Sequence, residues 1–316
     1  MSGADSNPKP TVSEKTFSSY TQAQGKNYAT HRPDYHSDVY QWILTQHTSS
    51  GGYLDTLIDV GCGPGNVAGN LAQHFTHAFG LDPSAGMLDT ARSKGYTTTI
   101  REAVRFEVSS AEDLGRGLVD SPVADGSVDL ITAGNAAHWF DMSHFWDSAA
   151  RVLKPGGSVI LWSTGEASVH PEVPNAAKIQ NLIEDTRESQ LRPFYEPGNL
   201  LVRTRYHDLV LPWTANPPVP GFDEKSFVRE EWDPAQPFHA GPAEFSLPMF
   251  EKILGTGSPV TRWREAHPEA VGTEEDVVRK MRRGVERLLH EAGVKPGEER
   301  IKGTVYAVIL FVKKMA

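Results

Sequence analysis

The chain of 316 residues, 39% hydrophobic and 22% charged, can hold one large α/β domain, or one such domain with a substantial insertion. Its formal net charge of −9 argues against broad electrostatic capture of nucleic acid or an anionic membrane, which needs a basic face. Cys62 is the single cysteine, the longest apolar run (about Val305 to Val312) is too short for a bilayer, and the start holds no apolar leader, so no intrachain disulfide forms and a cytoplasmic setting is the default.

A polar stretch to about residue 14 reads as a disordered tail. From residue 37 onward strand-like and helix-like segments alternate, the sign of a parallel sheet covered on both faces. Strands are expected at about 55–60, 77–82, 104–109, 128–134 and 157–163. One helix starts at a glycine turn after the first strand. A second runs from Ser84, a good N-cap, to Gly95, and a third over 142–153 ends before "KPGG". The alternation then fails, because ten of the 22 prolines fall between Pro193 and Pro248. Just before that region "NAAKIQNLIEDT" reads as helix, and within it "KSFVREEW" reads as strand. Thr273 reads as the N-cap of a long helix that Gly293 closes, and "GTVYAVILFVKK" as one buried final strand.

The stretch Asp59 to Gly65 reads D-V-G-C-G-P-G. Three glycines after a strand allow positive φ and let a ligand touch the backbone, and the helix that follows offers free N–H groups. A nicotinamide fingerprint would place its last glycine where Asn66 stands. Asp59 could hold an ammonium group, directly or by fixing the loop that does. Asp82 closes the second strand 23 residues later, where a carboxylate can accept both hydroxyls of a ribose. An acid for the sugar, a bare loop and no phosphate-binding lysine suggest a nucleoside ligand without phosphate, and S-adenosylmethionine fits.

Five stretches in order, the glycine turn, "LDPSAGML", "SSAEDL", "VDLITAGNAAHWFD" and "RVLKPGGSVILW", resemble the class I S-adenosylmethionine-dependent methyltransferases over about residues 37–164. The resemblance implies a Rossmann-like α/β fold with a seven-stranded, mostly parallel sheet, its last strand inserted antiparallel between its neighbours. It assigns the methionine end of the cofactor to Asp59, Gly61 and Gly63, and the ribose to Asp82. Pro83, Ser84 and Met87 would lie beside the adenine, with Ala111 and Glu112 at its edge. Asn135 and Ala136 would contact the cofactor from the fourth strand. S-adenosylhomocysteine is then the product, and no metal is implied.

"YATHRPDYHSDVYQWI", "NAAHWFDMSHFWDSAARVLKPGG" and "GTGSPVTRWREAHPEA" are similar to the trans-aconitate methyltransferase-type branch of small-molecule enzymes. That resemblance has Tyr28, Arg32 and Tyr35 pack over the cofactor and help close the site. It divides the chain into a tail (1–14), an N-terminal helical cap (15–50), a cofactor-binding core (51–164), a cap insertion with a sixth strand (165–272), and a final helix and strand of the core (273–316). The implied reaction is O-methylation of a carboxylic acid or hydroxyl group of a small molecule by a monomer or homodimer. Alternatives are a peptide or protein acceptor, or a cofactor-binding protein that does not methylate. His138, just after the fourth strand, is the candidate base or orienting donor. Arg203, Arg205, His207, Trp213, Trp232 and Arg262 to Arg264 are candidates for selecting the acceptor from the cap, since arginine grips carboxylates bidentately.

Overall fold

The computed structural model describes residues 21, 25, 29–30, 33–118, 123–241 and 244–316. The N-terminal tail, Tyr28 and Arg32 therefore lie outside the described residues. Among the described residues the centre is a seven-stranded sheet. Its strands are β1 (Thr56–Val60), β2 (His77–Asp82), β3 (Arg105–Val108), β4 (Val128–Gly134), β5 (Leu153–Ser163), β7 (Val228–Glu231) and β10 (Val308–Lys313), in the order β3-β2-β1-β4-β5-β10-β7. β1 to β5 pair in parallel, while β10 runs antiparallel to both β5 and β7. The expected reversed last strand, inserted between its neighbours, is observed.

Two apolar layers follow from the two-residue period of a strand. Ile58, Ile131, Leu161 and Leu310 face one cluster, which includes Trp146 of α4 (Met142–Val152). Leu57, Leu130, Ile160 and Ile309 face the other, with α1 (Ser37–Ser49), α2 (Asn66–Ala72) and α3 (Ala85–Arg92). A buried imidazole clamps α1 to the sheet, with His47 Nδ1 3.1 Å from Ser158 Oγ and Nε2 2.8 Å from the Tyr53 carbonyl. Burial lowers the pKa of that ring, which keeps it neutral there.

The rest of the chain builds an accessory layer. A small antiparallel sheet joins β6 (Ser168–Val169), β9 (Arg300–Thr304) and β8 (Glu244–Ser246) in that order. Around it lie α5 (Ala176–Thr186), α6 (Pro197–Arg203), α7 (Leu247–Leu254), α8 (Ser258–Ala266) and α9 (Val277–Glu291). Three local expectations need correction. "GTVYAVILFVKK" is two strands, for β9 and β10 join different sheets. The long helix is capped by Asp276, which accepts from Val278 N–H, because Thr273 is spent on a turn, its hydroxyl donating to the Ala270 carbonyl. That helix packs its Met281, Val285, Leu288 and Leu289 against Ile179 and Ile183 of α5 and Leu247 of α7, so its apolar face serves the accessory layer and not the central sheet.

Candidate active site

The site forms where β1, β2 and β4 end. Gly61 (φ 62°), Gly63 (φ 52°) and Gly65 (φ 78°) all occupy the left-handed region, and Gly65 is the N-cap of α2. They are glycines for different reasons. A Cβ on Gly65 would lie 2.8 Å from Ala91 Cβ and from the Phe106 ring, and one on Gly61 would lie 2.6 Å from Ala136 Cβ. Among the described residues a Cβ on Gly63 would meet no atom within 4 Å, so that residue turns a bare backbone face towards them.

Both acids hold this loop. Asp59 is 1% exposed; Thr132 Oγ1 donates to its Oδ1 at 2.8 Å and Ala68 N–H to its Oδ2 at 3.2 Å. Burial raises its pKa to about 7, the neighbouring Asp82 charge adds to the rise, and the two hydrogen bonds oppose it. Asp82 accepts from Gly63 N–H at 2.9 Å and from Ser84 N–H at 2.8 Å, which ties the first loop to the second. Ser84 in turn caps α3 by accepting from Met87 N–H.

A cavity of about 940 Å³ opens over these strand ends. Gly61, Gly63, Asp82, Pro83 and Met87 line it, as do Ala111, Glu112, Asn135, Ala136 and His138. Asp59 and Ser84 do not; both stand behind the wall and shape it. Glu112 Oε1 accepts from Asp141 N–H, the N-cap residue of α4. Asn135 (φ 52°) knots three segments together: its N–H donates to the Trp162 carbonyl, its side-chain amide to Tyr35 Oη at 3.1 Å, and its Oδ1 accepts from Thr164 N–H at 3.0 Å. Tyr35 stacks on His239 with ring centroids 5.5 Å apart.

The remaining wall comes from the accessory layer: Leu191, Tyr195 and Val202, then Ile253, Leu254 and Val260, with Pro234 to Gly241 closing one side. Of the cap residues singled out by sequence, none lines the cavity. Their charges are spent on each other's neighbours, Arg203 with Glu188, Arg205 with Glu231, Arg262 with Glu196 and Arg264 with Asp276. His207 is exposed, Trp213 packs on Phe227 and Trp232 on Phe238. The cavity's own arginine and lysine, Arg187 and Lys302, are also paired, at 2.8 Å to Glu184 and Glu172 respectively. Sequence reading missed Tyr195, Ile253 and His239; Leu247, Phe250 and Leu254 give the Ile253 segment a helical period that could have signalled it, and a histidine and phenylalanine inside "PAQPFHAG" hint at a loop with a ligand-facing side.

The model of a protein family described as "Methyltransferase domain" matches residues 58–161. Residues 58–161 thus match a methyltransferase domain, in the same region that resembles the class I S-adenosylmethionine-dependent methyltransferases. A Dictyostelium discoideum protein named provisionally as a methyltransferase is 34% identical over 158 residues, 50% of this chain and 52% of the relative. The chain thus matches about half the length of that relative. Methyltransferase pgmE of Aspergillus terreus is 25% identical over 237 residues, 73% of this chain and 69% of pgmE. A solved structure from Anaeromyxobacter dehalogenans, named provisionally as a type II methyltransferase, shares the fold of this methyltransferase domain. Its TM-score is 0.55 at 22% identity, over 90% of this chain and 97% of that one.

The residues present fit S-adenosylmethionine as cofactor. Gly63 exposes backbone with room above it, Asp82 stands at the end of β2 beside it, and the cavity lies at the upper end of the roughly 300–1,000 Å³ that ligand sites span. No described helix is long and apolar enough to cross a membrane.

Proposed function

We propose that the protein transfers the methyl group of S-adenosylmethionine to an oxygen of a small molecule, a carboxylic acid or a hydroxyl group. The observation that carries this reading is a cavity walled on one side by the glycine loop and Asp82 and on the other by apolar accessory residues such as Leu191, Ile253 and Val260. Such walls suit an acceptor with an apolar body.

In this reading Gly61 and Gly63 receive the methionine end. A carboxylate accepts at about four positions, which lets Asp82 hold the loop and also the ribose hydroxyls. Pro83, Met87, Ala111 and Glu112 frame the adenine, and Asn135 and Ala136 complete the floor. Asp59 acts through the loop and not by touching the ligand. Tyr28 and Arg32, which belong to the same N-terminal segment as the cavity residues Ala29 and Tyr35, are proposed to close it.

When bound, S-adenosylmethionine supplies a methyl carbon already activated by its sulfonium. The chain's own residues then align the acceptor and exclude water, and alignment alone is worth roughly 7–11 kcal/mol. His138 is, with Asn135, a polar residue of the turn after β4 that lines the cavity, and in this reading it would meet the acceptor oxygen.

The test is methyl transfer from labelled S-adenosylmethionine to a panel of carboxylic acids and phenols, with peptides and RNA alongside. Labelling of the small acids or phenols supports the reading. Labelling of peptides alone would move the acceptor to protein, and tight cofactor binding with no labelled product would make this a binding protein. In the active panel, His138→Ala should leave cofactor affinity intact, and should lower turnover roughly 10²–10⁴-fold if His138 acts as a base.

A further inference from the structure

His138 Nδ1 lies 2.8 Å from the hydroxyl oxygen of Tyr206, a residue 2% exposed that follows α6 and packs in the same cluster as Trp146. Two features bring the phenol there. The chain leaves α6 through successive left-handed residues, Arg205 (φ 51°) and Tyr206 (φ 60°), a region unfavourable to any side chain with a β-carbon. Gly198 lets α6 lie against the turn, since a Cβ there would come within 2.6 Å of the His138 carbonyl oxygen.

The chemistry of this contact is constrained. Burial pushes the Tyr206 pKa well above its ordinary value, against the smaller opposing effects of the His138 backbone N–H and the Ser163 side chain. The hydroxyl therefore keeps its proton, and a buried O–H is costly unless it is donated. The backbone N–H of His138 can only donate, so it takes a lone pair of the phenol oxygen and offers no place for the proton. The imidazole nitrogen at 2.8 Å offers one. A neutral imidazole that accepts at Nδ1 carries its own proton at Nε2.

We propose that Tyr206 is a positioning residue: by donating its hydroxyl proton to Nδ1 it holds His138 in the Nε2–H tautomer, so that His138 meets the acceptor as a hydrogen-bond donor and not as a base. The assignment rests on, and deepens, the reading of His138 as the acceptor-facing group. It suits an acceptor whose oxygen is already ionised, a carboxylate above all, because no proton has to pass to the imidazole.

Long-range proton–nitrogen NMR of the full chain, labelled with 15N-histidine and recorded above the titration range of the ring, reads this without any acceptor. His138 signals are assigned by their loss in His138→Gln. The expected wild-type pattern is one protonated nitrogen, Nε2, and a lone-pair Nδ1 shifted upfield by the hydrogen bond it accepts. In Tyr206→Phe that Nδ1 signal should move downfield to the position of an unbonded nitrogen. A wild-type ring protonated at Nδ1, with the phenol turned to Ser163, overturns the proposal, as does an Nδ1 signal that Tyr206→Phe leaves in place. If Tyr206→Phe does not fold, the wild-type tautomer decides. Because no methyl transfer enters the measurement, failure here is separate from failure of the proposed activity.

Discussion

Asp59→Asn offers the sharpest check of how the glycine loop is held. The wild-type carboxyl is fully buried, and its pKa rises from an ordinary 3.8 to about 7. The folded state therefore binds this proton more tightly than the unfolded state does. Between about pH 4 and pH 7 the native chain keeps a proton that the unfolded chain has lost, so stability from this group falls as pH rises through that window and is level on either side. At about 1.4 kcal/mol per pH unit, the whole effect is roughly 4 kcal/mol. Asparagine removes the titration and retains the contacts, since its Oδ1 can accept from Ala68 N–H while its amide donates to Thr132 Oγ1, a hydroxyl able to reverse its role. Urea unfolding of both proteins from pH 4 to pH 8 at constant salt gives the difference in stability, in which the distant carboxylates cancel. The wild type should lose about 4 kcal/mol relative to Asp59→Asn across that range. A difference independent of pH, or a wild type that gains stability with rising pH, would refute the reasoning and mean that the loop N–H and Thr132 hold an ionised Asp59.

Asp82→Ala should weaken cofactor binding about 10- to 150-fold, because hydrogen bonds to a charged group contribute roughly 1.5–3 kcal/mol; unchanged affinity by calorimetry in a folded variant removes Asp82 from the site. Gly65→Ala should lower thermal stability more than Gly63→Ala, since both incur roughly 1–2 kcal/mol of left-handed strain but only at Gly65 does the methyl strike Ala91 and Phe106. Gly63→Ala should instead show its larger loss in cofactor affinity, and equal melting temperatures for the two variants would contradict this division. Ile253→Ala should raise the acceptor KM up to some sixtyfold, at about 0.8 kcal/mol for each of the three buried carbons removed, with cofactor affinity kept, whereas Trp213→Phe should alter stability alone. A change of acceptor preference in Trp213→Phe would mean that the cap selects through residues other than those lining the cavity.

Much of the core was legible from the chain itself. β1, β2 and β4 fall within a residue of their expected ends, Ser84 caps α3, and all three loop glycines have positive φ. These features are local: an apolar run of strand length, a hydroxyl one residue ahead of a helix, and a backbone conformation that favours glycine are each written in a few adjacent residues. The tertiary structure alone decided what faces the acceptor. In the proline-rich stretch no period of 2 or 3.6 says which way a side chain points, so arginines chosen by residue type turn out to pair with nearby acids, and Trp213 and Trp232 to pack in the clusters that flank the central sheet. Only long-range packing draws Tyr206 onto His138 across 68 positions, stacks His239 on Tyr35, and separates β9 from β10 into two sheets. Asp59 shows the same limit at a single residue. Sequence placed it at the loop, but its role depends on the distances to Ala68 and Thr132, and the second exists only once β1 has paired with β4.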